Sequence, residues 1–174
     1  METRNPVITD THHKLRSGSV QLKPGVRAPA FESPDADLNV VTLADAIGQN
    51  KLVLYFYPKD DTPGCTAEAL EFSELEMDFR DAGALVLGIS MDDCMTHGEF
   101  RDKHGLAVQL LSDVDGVACH SYGVLQLKEY EGQSRVCIRR STFVMDRKGV
   151  VRHALYGVSP RGHAAEVLQL IKEL

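Results

Sequence analysis

Residues 52–65 of this chain read LVLYFYPKDDTPGC. The first six residues are apolar, as in a strand that is buried on both faces, and Pro58 ends the run. A polar loop follows, and Cys65 then stands where a helical segment begins. Because a helix N-terminus carries partial positive charge and free N–H groups, it favours the thiolate form of a cysteine. The pattern therefore predicts that Cys65 carries the chemistry, with a small buried hydrophobe as the plainer alternative.

Strand-like and helix-like segments alternate on both sides of this stretch. The segments 29–34 and 40–43 predict an N-terminal hairpin, and the apolar spacing over 66–82 predicts one helix after the strand at 52–57. Further elements are expected at 84–90 (strand), 92–104 (helix), 108–111 (strand), 115–122 (helix), 135–138 and 141–146 (both extended), 150–156 (strand) and 162–174 (helix). Such alternation predicts a central sheet, parallel in its first part, with helices packed on it. We expect an α/β, thioredoxin-like fold with an N-terminal β-hairpin addition.

The composition bounds the domain organisation and the compartment. The chain of 174 residues is 43% hydrophobic and 25% charged, which fits one folded domain over 24–174 after a flexible extension over 1–23. Its apolar runs are far shorter than the roughly 20 residues of a membrane span. A net charge of -6 disfavours a nucleic-acid partner. Because the N-terminal residues lack the apolar region of a secretory signal, we expect a cytoplasmic protein.

The loop before Cys65 contains groups that suit a reacting oxygen. The Thr62 hydroxyl can accept a helix N–H, or it can be offered to the sulfur or to a ligand oxygen. The backbone N–H groups of Gly64 and Cys65 are candidates for a small anion or oxygen site. Pro58 removes one N–H donor from the loop and is expected to shield it.

Two arginines, Arg139 and Arg140, stand just before the predicted strand at 141–146. An arginine at this position would stabilise a thiolate by direct charge interaction and would polarise an oxygen that is being displaced. Glu68, one helical turn after Cys65, is a candidate acceptor that orients such a cation. The plainer alternatives are a solvated acid for Glu68 and a surface charge for Arg140.

The spacing of Pro58, Thr62 and Cys65 resembles the PxxxTxxC signature of peroxiredoxins. The run YFYPKDDTPGCTAEA at 55–69 resembles the bacterioferritin-comigratory-protein subfamily, also called PrxQ. The resemblance extends from about Gly25 to the C-terminus and includes APAF at 28–31, LLSD at 110–113 and IRRSTFVMD at 138–146. It implies a peroxiredoxin-type fold and a thiol-dependent peroxidase.

The resemblance also implies a role for each candidate residue. The Cys65 thiolate would attack the O–O bond of hydrogen peroxide or of an alkyl hydroperoxide and become a sulfenic acid. Thr62 would orient the peroxide, and Pro58 would exclude water. Arg140, chosen from its spacing to Phe143, would stabilise the thiolate and the transition state, and Glu68 would hold it in place. No metal or organic cofactor is implied; the expected partners are a peroxide and a thiol reductant such as thioredoxin, glutaredoxin or a small thiol.

The chain departs from the family at the resolving cysteine. Leu70 and Arg101 occupy the two positions where members of the subfamily carry that second thiol. Cys94, which opens a predicted helix at the same end of the sheet as Cys65, is the first candidate to replace it. Less favoured candidates are Cys119, within a short helix, and Cys137, in an extended run. A one-cysteine cycle with an external thiol is the remaining alternative.

Two other functions remain open at this stage. One is a peroxide sensor or redox relay that passes the oxidation of Cys65 to the thiol of a partner protein. The other is a disulfide oxidoreductase, which the absence of a CxxC pair disfavours. The expected oligomeric state is a monomer or a weak homodimer.

Overall fold

The computed structural model describes residues 20–174 as strands and helices in alternation. The strands are β1 (Glu32–Pro34), β2 (Val40–Thr42), β3 (Lys51–Phe56), β4 (Ala84–Ser90), β5 (Gln109–Ser112), β6 (Leu125–Tyr130), β7 (Gln133–Ile138), β8 (Ser141–Met145) and β9 (Val151–Tyr156). The helices are α1 (Leu43–Ala46), α2 (Pro63–Glu74), α3 (Glu76–Asp81), α4 (Cys94–His104), α5 (Val117–Ser121) and α6 (His163–Lys172). The thioredoxin-like α/β fold and the N-terminal hairpin, β1–β2, are confirmed.

The central sheet has five strands in the order β5-β4-β3-β8-β9. The three strands β3, β4 and β5 are parallel, and β8 and β9 add antiparallel pairs at the other side of β3. Successive side chains of β3 point to opposite faces. Leu54 and Phe56 enter one apolar cluster, and Tyr55 and Tyr57 enter the other. The second cluster also contains Cys65, and we call it the Cys65-side cluster.

The single helix expected over 66–82 is wrong in two respects. The helix begins at Pro63, whose missing N–H and fixed φ suit the first position of a helix. It is also divided at Leu75, where φ is −95° and ψ is 6°, so that α2 and α3 are separate helices. The apolar spacing gave no sign of the division, because Phe72 on α2 and Phe79 on α3 enter the same cluster.

A strand that the sequence did not indicate is β6. It pairs with β7 as an antiparallel two-stranded ribbon, and neither strand joins the central sheet. The turn of the ribbon is formed by Glu131 and Gly132, with φ of 50° and 75°, as in the turns that suit two-residue hairpins. Most of the ribbon side chains are exposed, so the segment lacks the apolar pattern by which strands are recognised.

Residues 1–19 of the extension expected over 1–23 lie outside the described residues. From Val20 the chain contacts the domain: the Leu22 N–H donates to the Tyr156 hydroxyl at 2.8 Å, and the Leu22 side chain packs on the core. The Val20 carbonyl lies so close to Gly123 that a Cβ there would meet the oxygen at 2.4 Å. Within residues 20–174, no helix has both the length and the apolar character that crossing a membrane requires.

Candidate active site

Cys65 lies in the first turn of α2, behind the loop that leaves β3. The first hydrogen bond of the helix runs from the Thr66 N–H to the Thr62 carbonyl, at 2.8 Å. The N–H groups of Gly64 and Cys65 precede that bond, so they stand at the positive end of the helix. Only 2% of Cys65 is exposed. The residue stands at this helix end and is itself a member of the apolar Cys65-side cluster.

A single guanidinium joins Cys65 to Glu68. Arg140 Nη2 donates to Cys65 Sγ at 3.4 Å, and Arg140 Nη1 donates to Glu68 Oε1 at 2.8 Å. Arg140 precedes β8, and its carbonyl accepts the Val158 N–H at 3.0 Å, which fixes the backbone at this point. The structure thus brings together three of the predicted residues, and the cation is Arg140. The neighbouring Arg139 is exposed and lies over Gly157.

Burial governs the charges of this group. It raises the pKa of Glu68 to about 7, against the opposing effect of the Arg140 charge and with a smaller rise from Glu71. The Glu68 side chain has no exposed surface, whereas 15% of the Arg140 side chain is exposed. Glu68 Oε2 is buried and has no hydrogen-bond partner among residues 20–174. Glu68 is therefore held in a setting where its charged and neutral forms are close in free energy near neutral pH.

Three residues, Pro58, Thr62 and Gly64, precede Cys65, and each has a different environment. Thr62 is the N-cap residue, but its side chain accepts no helix N–H, contrary to one of the two expected uses. The Thr62 hydroxyl donates to the Lys59 carbonyl at 2.8 Å, which leaves its lone pairs available to accept a hydrogen bond. Pro58 is exposed. Gly64 lies against the arginine: a Cβ there would meet Arg140 Nη2 at 3.1 Å.

A buried polar network below the loop was missed in the sequence. The carboxylate of Asp60 accepts from the Tyr57 hydroxyl at 2.6 Å and lies 2.5 Å from His97 Nδ1. His97 Nε2 lies 2.9 Å from the Leu111 carbonyl, so this nitrogen carries a proton. The Asp60 N–H in turn donates to Asp92 at 2.9 Å. The network fastens the loop to α4 and to the ends of β4 and β5. Asp60 lies in the loop after β3 and His97 lies within α4, and the local sequence around neither residue indicates that the two are paired.

The same network contains the atoms that could hold a metal ion. Asp60, Asp92 and His97 place one ligand-type atom each within 4.8 Å of one another. These atoms already hydrogen-bond to each other, to Tyr57 or to Ser90. These hydrogen bonds account for the close approach of the three side chains.

The other three cysteines lie on elements other than the helix that carries Cys65. Cys94 is the first residue of α4 and is partly exposed, after the N-cap Asp93. Cys119 is fully buried in the apolar cluster on the opposite face of the central sheet. Burial, with an added effect from Asp113, raises its pKa well above the usual value for a thiol. Cys137 lies on the β6–β7 ribbon, and all four cysteines are free.

Comparison with known proteins places this geometry in a family. Residues 24–154 match the AhpC/TSA family. The chain is 44% identical over 121 residues to peroxiredoxin Bcp of Xanthomonas campestris pv. campestris, covering 70% of this chain and 76% of that protein. It is 37% identical over 150 residues to peroxiredoxin Bcp of Bacillus subtilis, covering 86% and 95%.

A solved structure shows the same fold. It is that of the bacterioferritin comigratory protein of Xanthomonas campestris, studied for its alkyl peroxide reduction activity through trapped-intermediate and ligand complexes. The TM-score is 0.79 at 37% identity, over 89% of this chain and 98% of that one. The chain belongs to the AhpC/TSA family of peroxiredoxins. Peroxiredoxins are thiol-dependent peroxidases, and the expected family and activity are confirmed.

In this peroxiredoxin, other contacts fill the two usual positions of a resolving cysteine. Leu70 packs on the Cys65-side cluster as a partly buried apolar side chain. Arg101 forms ion pairs with Asp37 at 3.1 Å and with Asp102 at 3.0 Å. Each position thus has a packing or charge contact where a second thiol would otherwise stand.

Proposed function

We propose that Cys65 is the peroxidatic residue of this peroxiredoxin and that it reduces hydrogen peroxide and alkyl hydroperoxides. The contact that carries the proposal is the hydrogen bond from Arg140 to the Cys65 sulfur, at the positive end of α2. In the reaction, the thiolate attacks the terminal oxygen of the peroxide, an S–O bond forms and the O–O bond breaks. Cys65 becomes a sulfenic acid, and water or an alcohol leaves after taking up a proton.

The surrounding groups supply what this displacement requires. Arg140 donates N–H groups toward the sulfur and the adjacent oxygen, where negative charge is redistributed. The Thr62 hydroxyl, which donates to Lys59, accepts the peroxide O–H and so orients it. The N–H groups of Gly64 and Cys65 form the oxygen site at the end of α2. Pro58, which is exposed, is assigned the exclusion of water from the loop, and Glu68 holds the guanidinium.

We propose further that the sulfenic acid is reduced by an external thiol in a one-cysteine cycle. Cys119 is an unfavourable partner, since it lies on the other face of the sheet and burial disfavours its thiolate. Cys137 is engaged with Gln126 on the ribbon. Cys94, partly exposed at the start of α4, is the internal alternative. The reductant is thioredoxin, glutaredoxin or a small thiol. The protein acts in the cytoplasm as a monomer or weak homodimer, and it binds neither nucleic acid nor a membrane.

The experiment that tests the cycle is intact-mass analysis under non-reducing conditions after one equivalent of hydrogen peroxide. A gain of one oxygen atom supports the one-cysteine cycle. A loss of two hydrogens that disappears in Cys94→Ser assigns resolution to Cys94 instead. Turnover with excess thiol reductant then identifies which reductant class is used.

The matched control concerns the attack itself. Cys65→Ser is expected to abolish rapid peroxide consumption, whereas Cys119→Ser, at a site remote from the peroxide, retains it. If Cys65→Ser consumed peroxide as the unaltered protein does, the assignment of Cys65 would be wrong.

A further inference from the structure

The arrangement around Arg140 places one cation between two acids. Cys65 and Glu68 lie three residues apart on α2 and contact different nitrogens of the same guanidinium. If both acids are deprotonated, the group carries a net negative charge in a buried setting, which is unfavourable. If only one is deprotonated, the charges balance. The geometry therefore couples the protonation of Glu68 to the charge of Cys65.

Within residues 20–174, the groups around Glu68 supply no second cation. Tyr55 on β3 has a buried hydroxyl that lacks a hydrogen-bond partner within residues 20–174, and burial and then Glu68 raise its pKa. Glu71 on α2 is an acid whose carboxylate accepts the Gly162 N–H at 2.9 Å. His163 on α6 is near Arg140, and burial lowers its pKa, so it favours the neutral form. In the described part of the chain, the only ion pair of Glu68 is that with Arg140.

We propose that Glu68 carries a proton while Cys65 is a thiolate, and releases it when peroxide converts Cys65 into a neutral sulfenic acid. The inference rests on the proposed role of Cys65. Before the attack the thiolate balances Arg140, and the unpartnered carboxyl oxygen of Glu68 is neutral. After the attack the sulfur no longer bears the charge, and the Glu68 carboxylate balances Arg140 in its place.

The proton balance of the step is complete. The thiolate and the hydroperoxide give a sulfenic acid and a hydroxide or alkoxide, which takes a proton from water. Glu68 returns one proton to water, so the step has no net proton uptake. When two external thiols reduce the sulfenic acid, they form a disulfide and water, and the proton of the restored Cys65 thiol passes back to Glu68. Glu68 acts through the charge of Arg140 and does not contact the peroxide, so it is a positioning residue.

Infrared difference spectroscopy tests the proposal directly. The expected result, at a slightly acidic pH, is that the C=O band of a protonated carboxyl disappears on addition of one equivalent of hydrogen peroxide. The band is absent in Glu68→Gln and unchanged in Glu71→Gln, the matched control on the same helix. In the unaltered protein, isotope-labelled glutamate shifts the band, which keeps the test valid if Glu68→Gln fails to fold.

A proton-uptake measurement in weak buffer gives the second readout. Glu68→Gln should take up one more proton per oxidised Cys65 than the unaltered protein, and the difference should vanish well above pH 7, where Glu68 is already a carboxylate. If peroxide is consumed and no carboxyl band changes, or if the band persists in Glu68→Gln, the inference is overturned while the proposed function stands. If peroxide is not consumed at all, the proposed function itself fails.

Discussion

Replacing Arg140 by methionine tests the central contact of the site. The substitution keeps a long apolar side chain but removes the charge that lies 3.4 Å from Cys65 Sγ. At an effective dielectric constant of about 20, two unit charges at this distance attract by about 5 kcal/mol. Water that enters the vacated space restores part of this stabilisation. The net loss is therefore closer to the value of a hydrogen bond to a charged group, typically about 1.5–3 kcal/mol.

That range predicts a loss of roughly 10- to 150-fold in the rate constant for peroxide reduction. The assay is stopped-flow measurement of the second-order rate constant with hydrogen peroxide, at several pH values, with circular dichroism to verify the fold. We expect the fold to survive, because Glu68 can become neutral when its cation is removed. The rate constant of Arg140→Lys should lie between those of the unaltered protein and Arg140→Met, since an ammonium is a point charge without the planar fork that contacts both acids.

Arg139→Met is the matched control. Its guanidinium lies over Gly157 and the residue is exposed, so its loss should leave the rate constant unchanged. The reasoning would be refuted if Arg140→Met reacted as fast as the unaltered protein, or if both methionine variants lost activity equally.

Four further predictions concern packing and reactivity. In Gly64→Ala, the new Cβ would meet the Arg140 guanidinium at 3.1 Å and should displace it, so peroxide reduction should slow several-fold in the same stopped-flow assay. Gly98 has open space around the position of a Cβ. Gly98→Ala should therefore raise the free energy of unfolding by about 0.5–1 kcal/mol without changing the rate. Gly88→Ala would place its Cβ 2.7 Å from the ring of Tyr55, and denaturant unfolding should show a loss of about 1–3 kcal/mol. Cys119 should resist alkylation in the native reduced protein, as peptide mass mapping after brief maleimide treatment can verify, and its rapid labelling would contradict the burial described.

The sequence predicted the central strands well because their signal is local. The apolar runs at 52–57 and 84–90 correspond to β3 and β4, and a strand buried on both faces leaves this trace in any short window. The N-terminal hairpin was likewise visible from its turn residues. The β6 strand was not visible, since an exposed ribbon has no buried face to impose an alternation of apolar residues.

The candidate site could be predicted only as a set of residue types. The chemistry of a cysteine at a helix entrance is local, but the contact between Cys65 and Arg140 joins positions 75 residues apart. The family resemblance favoured Arg140 over Arg139, and in the structure the Arg140 guanidinium donates to the Cys65 sulfur. The Asp60–His97 contact, 37 residues apart, had no such signature, since neither residue type alone indicates a buried pair.

The β6–β7 ribbon offers a place to extend the protein. Its tip, at Glu131 and Gly132, pairs with no strand of the central sheet. Its base is fixed by the Arg139 N–H, which donates to the Val124 carbonyl at 2.7 Å immediately before Arg140. A firm base separates the tip from the arginine, so a reporter domain inserted at the tip would be tethered to the catalytic unit without disturbing the guanidinium. The ribbon is thus a natural attachment point for a genetically encoded peroxide probe.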